Sequence, residues 1–266
     1  MNDPPQLSIE AVTTVTPALQ TILKALPSSP YVAVLVLPKI KAPRLLDKVL
    51  RRYPTIRMSP SARSAMRRAT PPMPTVSAVL MPPDEGSVTL LLLANIPPDD
   101  RERWCLATDP ADPLVWRNYE LVRVAALHEE MNRYRRPQVL RGEDADRLTW
   151  RLSSDARARY REQVTRVIHS TRSRTGQGGP IHTRTTPGQA AQLTRLGEHL
   201  ARYPGLHGIR NDVWVIGLHA RRLWRQQHPE APPIPWPVLR PTLMHRVTTA
   251  PLVSLWPDTP APKEPQ

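Results

Sequence analysis

Phenylalanine is absent from this 266-residue chain, cysteine occurs only at Cys105, and lysine is confined to Lys24, Lys39, Lys41, Lys48 and Lys263. A single cysteine excludes an intramolecular disulfide and any zinc site built on several thiolates, and it points to a reducing, cytoplasmic home. No apolar run approaches the roughly 18 residues needed to span a bilayer, and the opening MNDPPQLSIE lacks a basic leader, so no membrane partner is expected. The common catalytic motifs are missing as well. Without GxxxxGK, GxGxxG, HExxH or GxSxG, the sequence predicts no cofactor, no metal and no serine-type hydrolysis.

What is abundant is positive charge. The chain has 37 basic against 23 acidic residues, a formal +14, and nearly all of the basic set is arginine. An excess of that size points to a polyanionic partner. Arginine's planar fork binds phosphate bidentately and stacks on bases, which suits nucleic acid better than a membrane surface. The 33 prolines predict a loop-rich fold in which proline punctuates the elements.

Four segments follow from composition and periodicity. Residues 1–29 read as an N-terminal extension with a helix. Residues 30–147 read as an α/β domain: YVAVLVL (31–37) is a buried strand, RLLDKVLRRY (44–53) a helix, and Ser59-Pro60 caps a second, basic helix carrying Arg63, Arg67 and Arg68. TVSAVLMPP (75–83) and SVTLLLLAN (87–95) form a hairpin through Asp84-Glu85-Gly86, and RWCLATD and NYELVRVA (118–125) extend the same sheet. Strand, helix, helix, strand, strand is the order of the first half of a ferredoxin-like α/β sandwich, as in RNA-recognition domains. SVTLLLLAN carries no aromatic residue, so base stacking on the sheet is disfavoured and binding falls to helices and loops.

Residues 148–228 read as an arginine-rich, mainly helical domain. From Ser153 onward, Ala156, Tyr160, Val164, Val167 and Ile168 share one helical face, with Arg159, Arg166 and His169 opposite. In 208–228, Val213, Ile216, Ala220, Leu223 and Trp224 form an apolar face, backed by Arg210, Trp214, Arg221 and Arg225 with Arg222 adjacent. Between these helices lies HSTRSRTGQGGPIHTRTTPGQ (169–189), whose Arg172, Arg174 and Arg184 read as phosphate contacts on a glycine-rich loop. Residues 229–266 are a proline-rich segment in which 245–256 return as a strand.

A ferredoxin-like half joined to an arginine-rich helical part, without metal motifs, resembles the CRISPR repeat-processing endoribonucleases, in particular their type IV branch. The residues that carry the resemblance are YVAVLVL, the 75–95 hairpin and the arginine faces of 153–174 and 208–228. It implies a protein that recognises a structured RNA hairpin, cleaves it without metal, and stays on the processed guide RNA beside other ribonucleoprotein subunits. Such cleavage needs a base for the 2′-hydroxyl and cations for the developing phosphorane charge. The residues assigned to this chemistry are His182, Arg240, His245 and Arg246. Two other readings use the same arginines: a non-catalytic DNA-binding accessory protein of a plasmid or integrative element, and a structural ribonucleoprotein subunit.

Overall fold

The computed structural model describes residues 10–132, 146–169, 186–241 and 246–252. In chain order the elements are β1 (Ala11–Val12), α1 (Val15–Ala25), β2 (Tyr31–Pro38), α2 (Ala42–Arg52), α3 (Pro60–Arg68), β3 (Val76–Leu80), β4 (Ser87–Ala94) and β5 (Cys105–Leu106). Then come β6 (Val115–Trp116), β7 (Tyr119–Arg123), α4 (Val124–Met131), β8 (Leu148–Leu152), α5 (Ser154–His169), α6 (Thr186–Ala201), α7 (His207–Gln227) and β9 (Thr249–Ala250). The fold is mixed α/β. It divides into two compact units, Met1–Asp112 with Met244–Gln266, and Pro113–Leu243. The division puts 113–147 and the proline-rich 229–241 with the helices of the second unit.

The first unit is built on a six-stranded mixed sheet in the order β5-β2-β4-β3-β1-β9. β4 is its centre because an unbroken Val88–Ala94 run can be buried on both faces. Leu90 and Leu92 join Leu46, Val49 and Leu50 of α2 in one core cluster, each buried side chain contributing about 1.5–3 kcal/mol. Among the described residues the return strand at the C-terminal end is confined to β9, which pairs antiparallel with β1. α3 starts as its sequence dictates, with the Ser59 side chain accepting the Ala62 N–H at 3.2 Å.

The second unit holds a separate antiparallel sheet, β6-β7-β8. The sequence reading placed NYELVRVA in the first sheet. Instead β7 pairs along its whole length with β8, from Tyr119 opposite Leu152 to Arg123 opposite Leu148. The reason is matched alternation: Tyr119 and Leu121 bury one face, and Trp150 and Leu152 supply a partner face buried completely. α7 lies close on this sheet. A Cβ on Gly208 would sit 2.6 Å from the Trp150 carbonyl oxygen, so only glycine allows the first turn of α7 to approach β8. The 229–241 segment is pinned by Trp236, whose Nε1–H donates to the Val213 carbonyl at 3.0 Å. Its ring occupies the place where a side chain on Gly217 would stand.

Candidate nucleic-acid interface

One turn beyond Gly208, α7 delivers Asp212 into the centre of the second unit. Arg151 on β8 grips it with Nη2 at 2.7 Å from Oδ1 and Nε at 3.3 Å from Oδ2, and the Leu152 N–H donates to Oδ2 at 2.8 Å. Glu130 accepts from Arg151 Nη1 at 2.7 Å, and Glu120 accepts from Arg157 Nη2 at 2.9 Å. Three carboxylates thus surround two guanidinium groups. Burial pushes the Asp212 carboxyl up to about 7, against the opposing pull of Arg151. The Glu120 carboxyl is raised for the same reason. This network fixes β7, α4, β8, α5 and α7 to one another.

With its inner face locked, α7 turns its other side outward. Val213, Ile216, Ala220 and Trp224 are buried, whereas Arg221, Arg222 and Arg225 are exposed. These three arginines and Arg161 of α5 line an open groove in two adjoining lobes of about 510 and 520 Å³ that share Leu218 and Arg222. Among the described residues, four arginines and no carboxylate line it. His219 forms part of the floor. Its Nε2 is 3.1 Å from Thr165 Oγ1, and burial and then Arg161 hold its pKa below the usual histidine value, so it adds a polar surface and no charge near neutrality.

A second cluster borders α5. The β6–β7 hairpin closes through Arg117-Asn118, with Trp116 opposite Tyr119. Arg117 has φ 54°, where glycine or asparagine is the usual choice, at a cost of about 1–2 kcal/mol. Its guanidinium lies 4.5 Å over the Trp116 ring, a contact worth about 0.5–1 kcal/mol at an exposed position, which offsets only part of that cost. The neighbouring residue is clamped: Asn118 accepts from the Ser153 N–H at 2.7 Å and from Arg159 Nη2 at 3.0 Å. Asn118 also hydrogen-bonds Tyr203, whose hydroxyl is 2.5 Å from that of Tyr160, and Tyr160 in turn lies 3.1 Å from His199 Nε2. Burial and the Tyr160 contact raise the Tyr203 phenol well above its usual pKa, keeping it a hydrogen-bond donor. A histidine and two phenols in one hydrogen-bonded row beside an arginine form a set suited to acid–base chemistry.

The arginines expected from sequence are distributed as follows. Arg221, Arg222 and Arg225 share the groove, while Arg210, in the first turn of α7, is half-buried with its Nε enclosed and without an acceptor among the described residues. Arg159 and Arg166 are exposed on α5, Arg166 paired with Glu162 at 2.6 Å. Arg68 is exposed and Arg67 half-buried on α3, in the other unit. Arg63 is committed to the fold: its Nη1 donates to the carbonyls of Thr55, Ile56 and Met58, at 3.3, 3.2 and 2.5 Å. Arg240 is exposed in the second unit and Arg246 in the first. His182, His245, Arg172, Arg174 and Arg184 lie outside the described residues. Sequence reasoning missed Arg161, Arg117 and the His199 cluster. The four-residue spacing of Arg157, Arg161 and Thr165 was the available signal that a second arginine row faces α7.

Cys105 donates its thiol to Asp112 Oδ2 at 3.3 Å, and burial and then Asp112 push its pKa up, so it is a poor nucleophile. Among the described residues no group of three His, Cys, Asp or Glu side chains could hold a metal ion, and no helix is long and apolar enough to cross a membrane. In comparisons with known proteins, no family model, no curated protein and no solved structure matches the chain.

Proposed function

We propose that this protein binds a structured RNA through the groove between α5 and α7. The observation that carries the reading is the groove's composition: Arg161, Arg221, Arg222 and Arg225, with no carboxylate lining it among the described residues. Helix-borne arginines in an open groove engage a phosphate backbone by shape, the way double-stranded RNA is recognised. The apolar floor at Leu218 and Val215 packs against sugar edges while the guanidinium groups reach the phosphates.

The finer form of the proposal is a CRISPR repeat-processing endoribonuclease with a ferredoxin-like first unit, retaining its product as guide RNA. In support, β2 is followed by α2 and α3 and then the β3–β4 hairpin, and β4 lies between β2 and β3 in the sheet. For cleavage the His199, Tyr160 and Tyr203 row with Arg159 supplies proton-transfer groups and a cation in the second unit. His182, Arg240, His245 and Arg246 remain the candidates that the sequence offers. The test is to purify the protein from its source and characterise the nucleic acid that travels with it. A uniform small RNA, removed by RNase and ending in a cyclic phosphate, is the expected result. Mixed DNA fragments removed only by DNase would replace the RNA reading with that of a DNA-binding accessory protein.

A further inference from the structure

We infer that the β6–β7 turn, with the α5 and α6 side chains behind it, is a subsite for an unpaired nucleotide of the RNA that the second unit binds. This rests on the RNA-binding reading and adds to it the part of the ligand that is unpaired. A two-residue hairpin turn is closed at least cost by glycine or asparagine, and here an exposed arginine, Arg117, stands at φ 54°. Such a residue persists when its surroundings over-determine the backbone, and here they do so through Asn118, held by the Ser153 N–H and by Arg159. What arginine adds over glycine is an exposed cation whose guanidinium carbon lies 4.5 Å over the buried Trp116 ring. Guanidinium planes backed by an aromatic ring are platforms on which an unstacked base can lie.

The groups tied to the same turn suit the rest of a nucleotide. Arg159 is exposed on α5, its guanidinium carbon 5.7 Å from the centroid of the Tyr160 ring and its Nη2 on Asn118, which fixes a phosphate-sized charge beside the turn. The row from Asn118 through Tyr203 and Tyr160 ends at His199, whose ring is exposed while Nε2 is engaged by Tyr160. A histidine held in this way offers the hydrogen-bonding chemistry that a ribose hydroxyl or a phosphate oxygen needs. α5 carries Arg161 to the groove and Arg159 to the turn, on faces about 200° apart around the helix.

The experiment uses a fluorescently labelled blunt RNA hairpin and the same hairpin with single-stranded tails, titrated with the full chain and with Arg117→Gly. Tails should lower Kd about tenfold for the unaltered protein, the scale of one stacked base. Arg117→Gly should lose that gain, keep the blunt-hairpin Kd, and melt at the same or a higher temperature, because glycine relieves the left-handed backbone. Equal affinity of the unaltered protein for both hairpins, or a full tail gain in Arg117→Gly, overturns the subsite and leaves the groove standing. Absence of binding to either hairpin overturns both.

Discussion

Arg151 and Asp212 meet fork to fork in the core of the second unit, 2.7 Å apart at Nη2 and Oδ1, with side chains only 8% and 4% exposed. They are 61 residues apart in sequence, and the pair ties strand β8 to helix α7. With the Gly208 approach to β8 and the Trp236 hydrogen bond, this pair holds the helix whose outer face carries the groove arginines.

Removing Asp212 leaves Arg151 Nε and Nη2 and the Leu152 N–H without their buried acceptor, with Glu130 alone close to the guanidinium. Asp212→Ala is expected to destabilise the second unit by about 3–5 kcal/mol, whereas a neutral surface substitution stays within about 0.5 kcal/mol. Urea unfolding of the full chain, followed by tryptophan fluorescence, measures it. A loss below about 1 kcal/mol would show that the pair does not hold α7.

The same network sets a pH dependence. Asp212 is held up to about 7 in the folded chain, above its value of 3.8 as a free group, so the folded state binds the extra proton between those limits. Its contribution to stability is complete below the lower value and is lost as pH rises through the upper one. The stability gap between the unaltered protein and Asp212→Asn should therefore narrow from pH 5 to pH 8. A gap that stays constant over that range would mean that Asp212 is ionised throughout.

Gly217 is tested by size. A Cβ there would stand 2.4 Å from Trp236 Cδ1, so Gly217→Ala should cost about 1–3 kcal/mol by overpacking. The cost should shrink when Trp236→Ala is added, since the two substitutions act on one contact. Additive effects in a double-mutant cycle would contradict the packing of 229–241 on α7.

Arg63 is expected to behave as a structural residue. Because its Nη1 binds three backbone carbonyls, Arg63→Ala should lower stability by roughly 1–2 kcal/mol and leave RNA affinity unchanged. Arg68→Ala, on the exposed side of the same helix, should leave stability as it was. Melting curves and binding titrations of the two variants side by side decide this. Weakened RNA binding in a still-folded Arg63→Ala would return that residue to the interface.

Much of α7 was legible because a 3.6-residue period separates Val213, Ile216 and Ala220 from Arg221 and Arg225 without further information. β2 and β4 were legible as aliphatic runs, and α3 through its Ser59-Pro60 cap. The destination of NYELVRVA was not, because pairing with β8 is a long-range choice made by Trp150 and Leu152. Asp212 offered a clue in retrospect: an acid between Ile209, Val213 and Ile216 on an apolar face requires a buried cation. Arg151 could not be named as that cation from sequence, since a lone arginine in a five-residue strand reads like any surface charge. The row from Asn118 to His199 is drawn from a turn and two helices and has no local signature, apart from His199 and Tyr203 standing four residues apart.

The central claim is that the α5–α7 groove binds RNA phosphates, and its most direct measurement is the affinity for a labelled RNA hairpin across a salt series. The comparison is between the unaltered protein and Arg221→Ala/Arg222→Ala/Arg225→Ala. All three residues are exposed, so the variant should fold as before. The account predicts that log Kd rises linearly with log salt, that the triple variant binds roughly tenfold or more weakly at low salt, and that its slope is shallower by about 2. Equal affinity and an unchanged slope in a correctly folded triple variant would contradict it.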